Sequence, residues 1–257
     1  MTNVSVVIPV KDEQELLGKL LSELKKQTLE HEVIVALSPE TTDDSEKVAR
    51  THGARVVQGG MPAVGRNNGA AVAKGTYIFF LDADVLPAQT HFLEHAVDEM
   101  QRRKLSCATV ANYVQQPKLR ERIFYGLFNF SIRTLNTFGQ GYSCGTCIIT
   151  QSDAHKDIGG FNEHVEFFED VEYTQRIARK HPYGMLSRKH AILVNPRRMR
   201  TDGILVMTWY ALRAIWYRKI HGEITDIAVI DENYFSRKKN QTTTPSTTQA
   251  TQEQSKE

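Results

Sequence analysis

The first third of the chain alternates strand-like and helix-like patterns, and that order constrains the fold more than any other feature of the sequence. VSVVIP is followed by the amphipathic run EQELLGKLLSELKKQ, then by HEVIVAL, DSEKVARTHG and ARVV. Apolar residues that switch between a period of two and a period near 3.6 mark strand, helix, strand, helix and strand in turn. Short links between such elements favour a parallel sheet with helices on its faces. The expected class is therefore α/β, with a mostly parallel, Rossmann-like central sheet flanked by helices. A helix from Val64 to Lys74 that stops at Gly75 and a buried strand YIFFLDADV extend the series.

Beyond it, THFLEHAVDEMQRRK reads as a helix, SCATVANYV as a strand, and residues 117–138 as a helix with its aromatic residues packed inward. YSCGTCIIT reads as a strand and FFEDVEYTQRIARK as a helix that ends near Pro182. Residues 204–220, ILVMTWYALRAIWYRKI, are interrupted by Arg213, Arg218 and Lys219. That is too short and too broken for a membrane span, which needs about 18 or more apolar residues. Two readings stay open for this segment: a packed helix, or an interfacial membrane helix carrying Trp209, Trp216 and a basic end. The tail from Asn240 has almost no hydrophobes and is expected to be disordered.

Charge excludes one class of partner. With 32 basic and 30 acidic residues the net charge is +2, too even for nucleic acid to be the main partner. Three cysteines and a start without a basic-then-apolar signal layout point to a reducing, cytoplasmic compartment. Peripheral contact with the cytoplasmic membrane face through 204–220 is the accompanying expectation.

Three groups of residues could carry chemistry. Asp82 and Asp84, one residue apart at the end of a buried strand, could share a hard cation such as Mn or Mg, and open parallel sheets bind ligands at the carboxyl ends of their strands. A structural turn and helix cap would use the same residues. Glu169 and Asp170 begin a helix, where an acid could deprotonate a hydroxyl, its neighbour raising its proton affinity. Capping explains them equally well at this level. Arg66 in GRNNGA, and Arg197 and Arg198 in NPRRMR, offer forked donors for phosphate, against the default of solvated surface charge.

Two other motifs mislead. GYSCG matches the Gly-x-Ser-x-Gly elbow of hydrolases, with Asp170 and then His181 or His190 in the right order. The strand, however, follows Ser143 instead of preceding it. Cys144 and Cys147 have the spacing of a redox or zinc pair, but lack a second pair and a suitable helix start.

Taken together, VSVVIPVKDEQEL, EVIVAL to DDSEKVA, GRNNGAAVAKGTYIFFLDAD, GGFNE and FFEDVEYTQRIAR resemble, in order and spacing, the inverting family 2 glycosyltransferases with the A-type nucleotide-diphospho-sugar transferase fold. The resemblance covers about residues 3–200. It implies that Pro9 through Glu13, Lys11 included, line the nucleobase pocket, with Glu13 the polar contact. It also implies that Arg66 and Asn67 lie in the donor contact region and that Asp82 and Asp84 are metal ligands, Asp84 the more direct. Asp170 matches the catalytic base, Glu169 the acid beside it, Arg176 an arginine further along that helix, and Gly159-Gly160-Phe161 the turn into the acceptor site.

Two departures stand out. Ala36-Leu37-Ser38-Pro39-Glu40 replaces the Asp-Asp-Gly-Ser type turn, which leaves GDP and dTDP open beside the common UDP. A Gln-x-x-Arg-Trp motif is missing, which argues against a processive synthase.

The expectation is thus an inverting, non-processive transferase that uses a divalent metal and a nucleotide-sugar donor. Its acceptor would be a glycan, a lipid-linked saccharide or another hydroxyl. Residues 1–200 would form the catalytic domain, with a nucleotide-sugar half of about 1–115 and an acceptor half of about 116–200. A helical segment of 201–239 and the tail 240–257 follow. A silent binding module of the same fold is the alternative. A nucleotidyltransferase ranks lower because VVIPVKDEQE lacks the glycine-rich loop.

Overall fold

The computed structural model describes residues 3–231. In chain order the elements are β1 (Val4–Val10), α1 (Gln14–Leu24), β2 (His31–Leu37), α2 (Ser45–Thr51), β3 (Arg55–Gln58), α3 (Pro62–Val72) and β4 (Tyr77–Leu81). Next come β5 (Val85–Pro87), α4 (Phe92–Arg102), β6 (Cys107–Thr109), β7 (Asn112–Val114), α5 (Leu119–Thr137), β8 (Cys147–Gln151) and α6 (Ser152–Asp157). The described chain closes with α7 (Glu169–Ala178), β9 (Tyr183–Met185), β10 (Ile192–Val194), α8 (Arg197–Asp202), α9 (Ile204–His221) and a 3-10 turn at Ile227–Val229.

Seven strands form the main sheet in the order β3-β2-β1-β4-β8-β6-β9. The pairs among β3, β2, β1 and β4 are parallel, β8 is antiparallel to both neighbours, and β6 pairs parallel with β9. Only β8 therefore runs against the rest, and the α/β, mostly parallel expectation holds. β1 and β4 are buried almost throughout, as strands covered on both faces must be. Alternation along β1 divides two cores. Val6 and Ile8 join Leu17, Leu20 and Leu24 of α1 on one face, while Val7 joins Ile34, Ile78, Phe80 and Tyr173 on the other.

Two glycines set how closely α3 lies on the sheet. A Cβ at Gly69 would come within 2.3 Å of Val7 Cγ1, and one at Gly65 within 3.2 Å of Pro9 Cβ. This close approach carries Arg66 to the carboxyl edge of the sheet. The chain moves from β1 outward to β3 and then returns to β4 on the other side of β1, so the switch point lies between β1 and β4.

Several local expectations are corrected. α3 starts at Pro62, a preferred first helical residue, and ends before Gly75, whose position leaves only 2.5 Å between a Cβ and Ser5 N. SCATVANYV is two strands: β6 belongs to the main sheet, while β7 joins β10 and β5 in a second, three-stranded sheet. Those strands are three residues long, too short to show a period. In YSCGTCIIT only Cys147 onward is strand, and residues 144–146 form a turn that Cys147 N closes on Cys144 O at 3.4 Å. The aromatic residues of 117–138 are not all inward: Tyr125 is buried, but Phe130 is 65% and Phe138 75% exposed. Residues 204–220 pack on one side only: Ala214, with Tyr210 and Tyr217, lies against Phe167, Phe168 and Ile224, while Leu205, Trp209, Leu212, Trp216 and Ile220 are exposed. Residues 240–257 lie outside the described residues.

One buried carboxylate ties α5 to α8. Glu121 accepts from Lys118 N at 2.9 Å and from Arg200 Nε at 2.7 Å with its side chain fully enclosed. The bond from Arg200 holds it down at about 2. Because that value lies below the ordinary 4.5, the stabilisation is complete above pH 4.5 and is lost as pH falls towards 2. Urea unfolding of Glu121→Gln is expected to show a loss of about 1.5–3 kcal/mol at pH 7 that shrinks at pH 3. An equal loss at both pH values would mean the charge is not what stabilises.

Candidate active site

The carboxyl ends of β1, β2 and β4 and the amino end of β8 meet on one edge of the main sheet, with Leu81 paired to Cys147. Asp82, Ala83 and Asp84 follow β4 directly. Asp82 N donates to Thr146 O, and Asp84 O accepts from Asn195 N at 3.0 Å, so the turn is held between both sheets. Asp82 is 34% exposed and Asp84 half-buried.

Arg66 is the hub of this edge. Its side chain is 2% exposed and pairs with Asp82 Oδ1 at 3.0 Å and Glu169 Oε1 at 2.6 Å. It also donates to Gly145 O at 3.4 Å and lies 5.3 Å over the Phe161 ring. Burial alone would favour loss of its proton, but Asp82 and Glu169 outweigh that and raise its pKa. Its Nε is buried with no hydrogen-bond partner.

Asp170 stands beside this group at the start of α7. A Cβ on Gly145 would be 3.4 Å from Asp170 Oδ2. Crowding by protein, then the Glu169 charge, push Asp170 up to about 7 against the pull of Arg66. Phe168, just before the pair, is left-handed at φ 64°, an uncommon conformation for a bulky residue and one that concentrates at functional turns.

A second group forms around the end of β1. Glu13 is 9% exposed and pairs with Arg197 at 3.0 Å, although 184 residues separate them. Lys11 pairs with Glu40, Asp12 accepts from Thr42 N at 2.6 Å, and Glu13 N donates to Ser45 Oγ at 3.2 Å. The turn 11–13 is thus stitched to 40–45, with Glu40 in the place of the missing acidic turn, and Pro9 sits under Gly65.

Asn67 and Arg176 hold a turn next to this edge. Asn67 uses its amide on Phe161 N (2.8 Å), Phe161 O (2.9 Å) and Glu163 (2.8 Å). Arg176 pairs with Glu172 and donates to Ile158 O and Gly160 O, the latter at 2.8 Å. Both clamp the Gly159-Gly160-Phe161 turn; Gly160 has φ +73° and leaves only 2.6 Å between a Cβ and Asn67 Oδ1. The side chain of Arg198 lies outside the described residues.

The misleading motifs resolve. Ser143 is buried against Thr109 Oγ1, while His181 and His190 pair with Asp157 and Glu99. No triad forms. Burial and then Asp170 push the Cys144 thiol up to about 12, so it is not a reactive thiolate. What the sequence did not flag is Gly145, the one residue of that loop whose lack of a side chain lets Arg66 and Asp170 approach.

The profile of the family described as glycosyl transferase family 2 matches residues 5–159, more than half of the 257. The poly(ribitol-phosphate) beta-glucosyltransferase of Bacillus spizizenii is 32% identical over 92 residues, which are 32% of this chain and 14% of that protein. The chain therefore spans a small part of that relative's length. Among solved structures, S. aureus TarS 1–349 in complex with UDP-GlcNAc superposes with a TM-score of 0.61 at 19% identity, covering 90% of this chain and 70% of that one. The mannosyltransferase of Pyrobaculum calidifontis in complex with GDP-Man and Mn2+ gives 0.62 at 18%, covering 82% and 64%. Identities this low speak for the fold alone. With its profile match over more than half of the chain, this chain belongs to glycosyl transferase family 2.

Proposed function

We propose that the protein transfers a sugar from a nucleoside-diphosphate donor to a hydroxyl acceptor by a single displacement that inverts the anomeric centre. The observation that carries this is Asp170, raised to about 7 and sharing the Arg66-centred edge with Asp82. A group with that value is a base at neutral pH. Asp170 accepts the acceptor's hydroxyl proton. Glu169, held by Arg66, keeps a negative charge beside it and so keeps its proton affinity up. Residues 1–200 serve as the catalytic unit, with 201–239 appended.

Metal chemistry is compatible with the residues present. Among the described residues no three acidic, histidine or cysteine side chains converge on a cation. A small hard cation needs no such cage, since it binds one or two carboxylates and completes its shell with phosphate oxygens and water. Asp82 and Asp84, at a half-open edge, fit that role for Mn or Mg. The cation would neutralise charge on the departing diphosphate. Arg197, across from Glu13, and Arg198 are the cationic side chains we assign to the same phosphates. UDP is the first donor to test, with GDP and dTDP beside it, because Ser38-Pro39-Glu40 departs from the usual base-contacting turn.

A thermal-shift panel of UDP-, GDP- and dTDP-sugars, with and without Mn, tests the donor site, since a ligand bound only by the folded state raises Tm. One donor is expected to stabilise the protein only with metal, and Asp84→Ala to abolish the effect. No shift with any of them would point to a binding module or a different ligand class.

A further inference from the structure

α5 and α9 leave apolar stripes uncovered. On α9, Leu205, Trp209, Leu212, Trp216 and Ile220 recur at spacings of three and four, so they share one face, and each is more than half exposed. On α5, Leu119, Ile123, Leu127 and Phe130 do the same. The helices join at one corner. Arg200 of α8, four residues before α9 begins, is paired with Glu121 in the first turn of α5. Ile204, Met207, Phe124 and Phe128 pack against the same core. A face of this extent needs an occupant.

Charge indicates which. Residues 204–221 contain no acid, and the single acid of α5, Glu121, is enclosed with Arg200. The exposed charges on the two helices, Arg120, Arg122, Arg213 and Lys219, are all basic, although the whole chain is only +2. Arg213 lies over the Trp209 ring at 5.2 Å, so cation and indole share the border of the stripe. Apolar side chains with tryptophan, edged by cations, suit the boundary between headgroups and acyl chains. A second copy of the chain would bring like charges together across a symmetric contact. No described helix is long and apolar enough to cross a membrane, so the face would lie on one.

We propose that the α9 stripe, extended by that of α5, docks in the plane of an anionic lipid bilayer. The other side of α9 explains what this achieves. Tyr210, Ala214 and Tyr217 cluster with Phe167, Phe168 and Ile224, and Phe168 leads directly into Glu169 and Asp170. Docking therefore sets the loop that carries the base at headgroup level, where the acceptor hydroxyl belongs to a lipid-anchored molecule. This last step rests on the transferase reading; the docking does not.

The test is flotation of the full chain with vesicles of phosphatidylcholine alone and of phosphatidylcholine mixed with phosphatidylglycerol, at low and high salt. The protein is expected to float with the anionic vesicles, less so at high salt. Trp209→Glu with Trp216→Glu is expected to weaken binding about tenfold or more, with unchanged Tm and donor-induced shift. Failure to float with anionic vesicles, or equal flotation of the double variant, would overturn the proposal. So would a dimer in light scattering that the double variant splits, which would assign the face to a second copy. A missing donor shift in the parent protein counts against the transferase reading alone.

Discussion

Asp170→Asn is expected to lower kcat by about 100- to 10,000-fold, the range general-base groups supply, while leaving the donor-induced rise in Tm intact. Asparagine keeps the shape and removes the capacity to hold a proton. In the parent protein kcat/KM should rise with pH and level off once Asp170 has lost its proton. Stability should move the other way. The folded value of Asp170 lies above its ordinary 3.8, so the unfolded chain releases that proton first. The carboxyl therefore costs stability as pH rises from about 4 to 7. Asp170→Asn should accordingly be more stable than the parent at pH 8, by about 0.5–2 kcal/mol, with no gain at pH 4. A variant that keeps most of its turnover, or that is destabilised at pH 8, would remove Asp170 from the role of base.

Arg66→Met is expected to cost about 3–5 kcal/mol at neutral pH, the loss typical when one member of a buried ion pair is removed. Methionine fills similar space, so packing contributes little to the difference. Three acids, Asp82, Glu169 and Asp170, would be left without the cation that draws them together. The proton affinity of Asp170, which Arg66 holds down, then rises further. The deficit should thus be largest above pH 7 and narrow as pH falls and Asp170 takes up its proton. Any remaining activity should have its rising limb shifted to higher pH. Chemical denaturation at pH 5 and pH 8 checks the first point. A loss under 1 kcal/mol at pH 8 would mean that Arg66 is not the hub.

The fold was legible where elements are long and fully amphipathic. The alternation of strand and helix patterns from Val4 to Leu81 specified the parallel half, because β1 and β4 are covered on both faces and α1 buries one stripe. It was not legible at β5, β7, β9 and β10, whose three-residue strands carry no period. Nor could it show that β6 and β7 part company within one apolar run, since each half satisfies the same pattern in a different sheet. The Asp82–Asp84 turn and the Glu169–Asp170 helix start were readable as acids in suitable places. What could not be read was their counter-ion. Arg66 is one polar residue in a helix, and only the glycines at 65 and 69 bring it to the sheet edge. The Glu13–Arg197 and Glu121–Arg200 pairs join distant segments that no local pattern connects. Asn67 and Arg176 clamp the Gly159-Gly160-Phe161 turn, whose carbonyls need donors, a contact that no local pattern announces.

The most direct measurement is release of nucleoside diphosphate from the donor selected by thermal shift, with Mn present or chelated, in the parent protein, Asp84→Ala and Asp170→Asn. A metal-dependent transferase predicts release in the parent that stops on chelation and in Asp84→Ala, and falls by at least about 100-fold in Asp170→Asn when acceptor is supplied. Release that is indifferent to the metal and to both aspartates would contradict it.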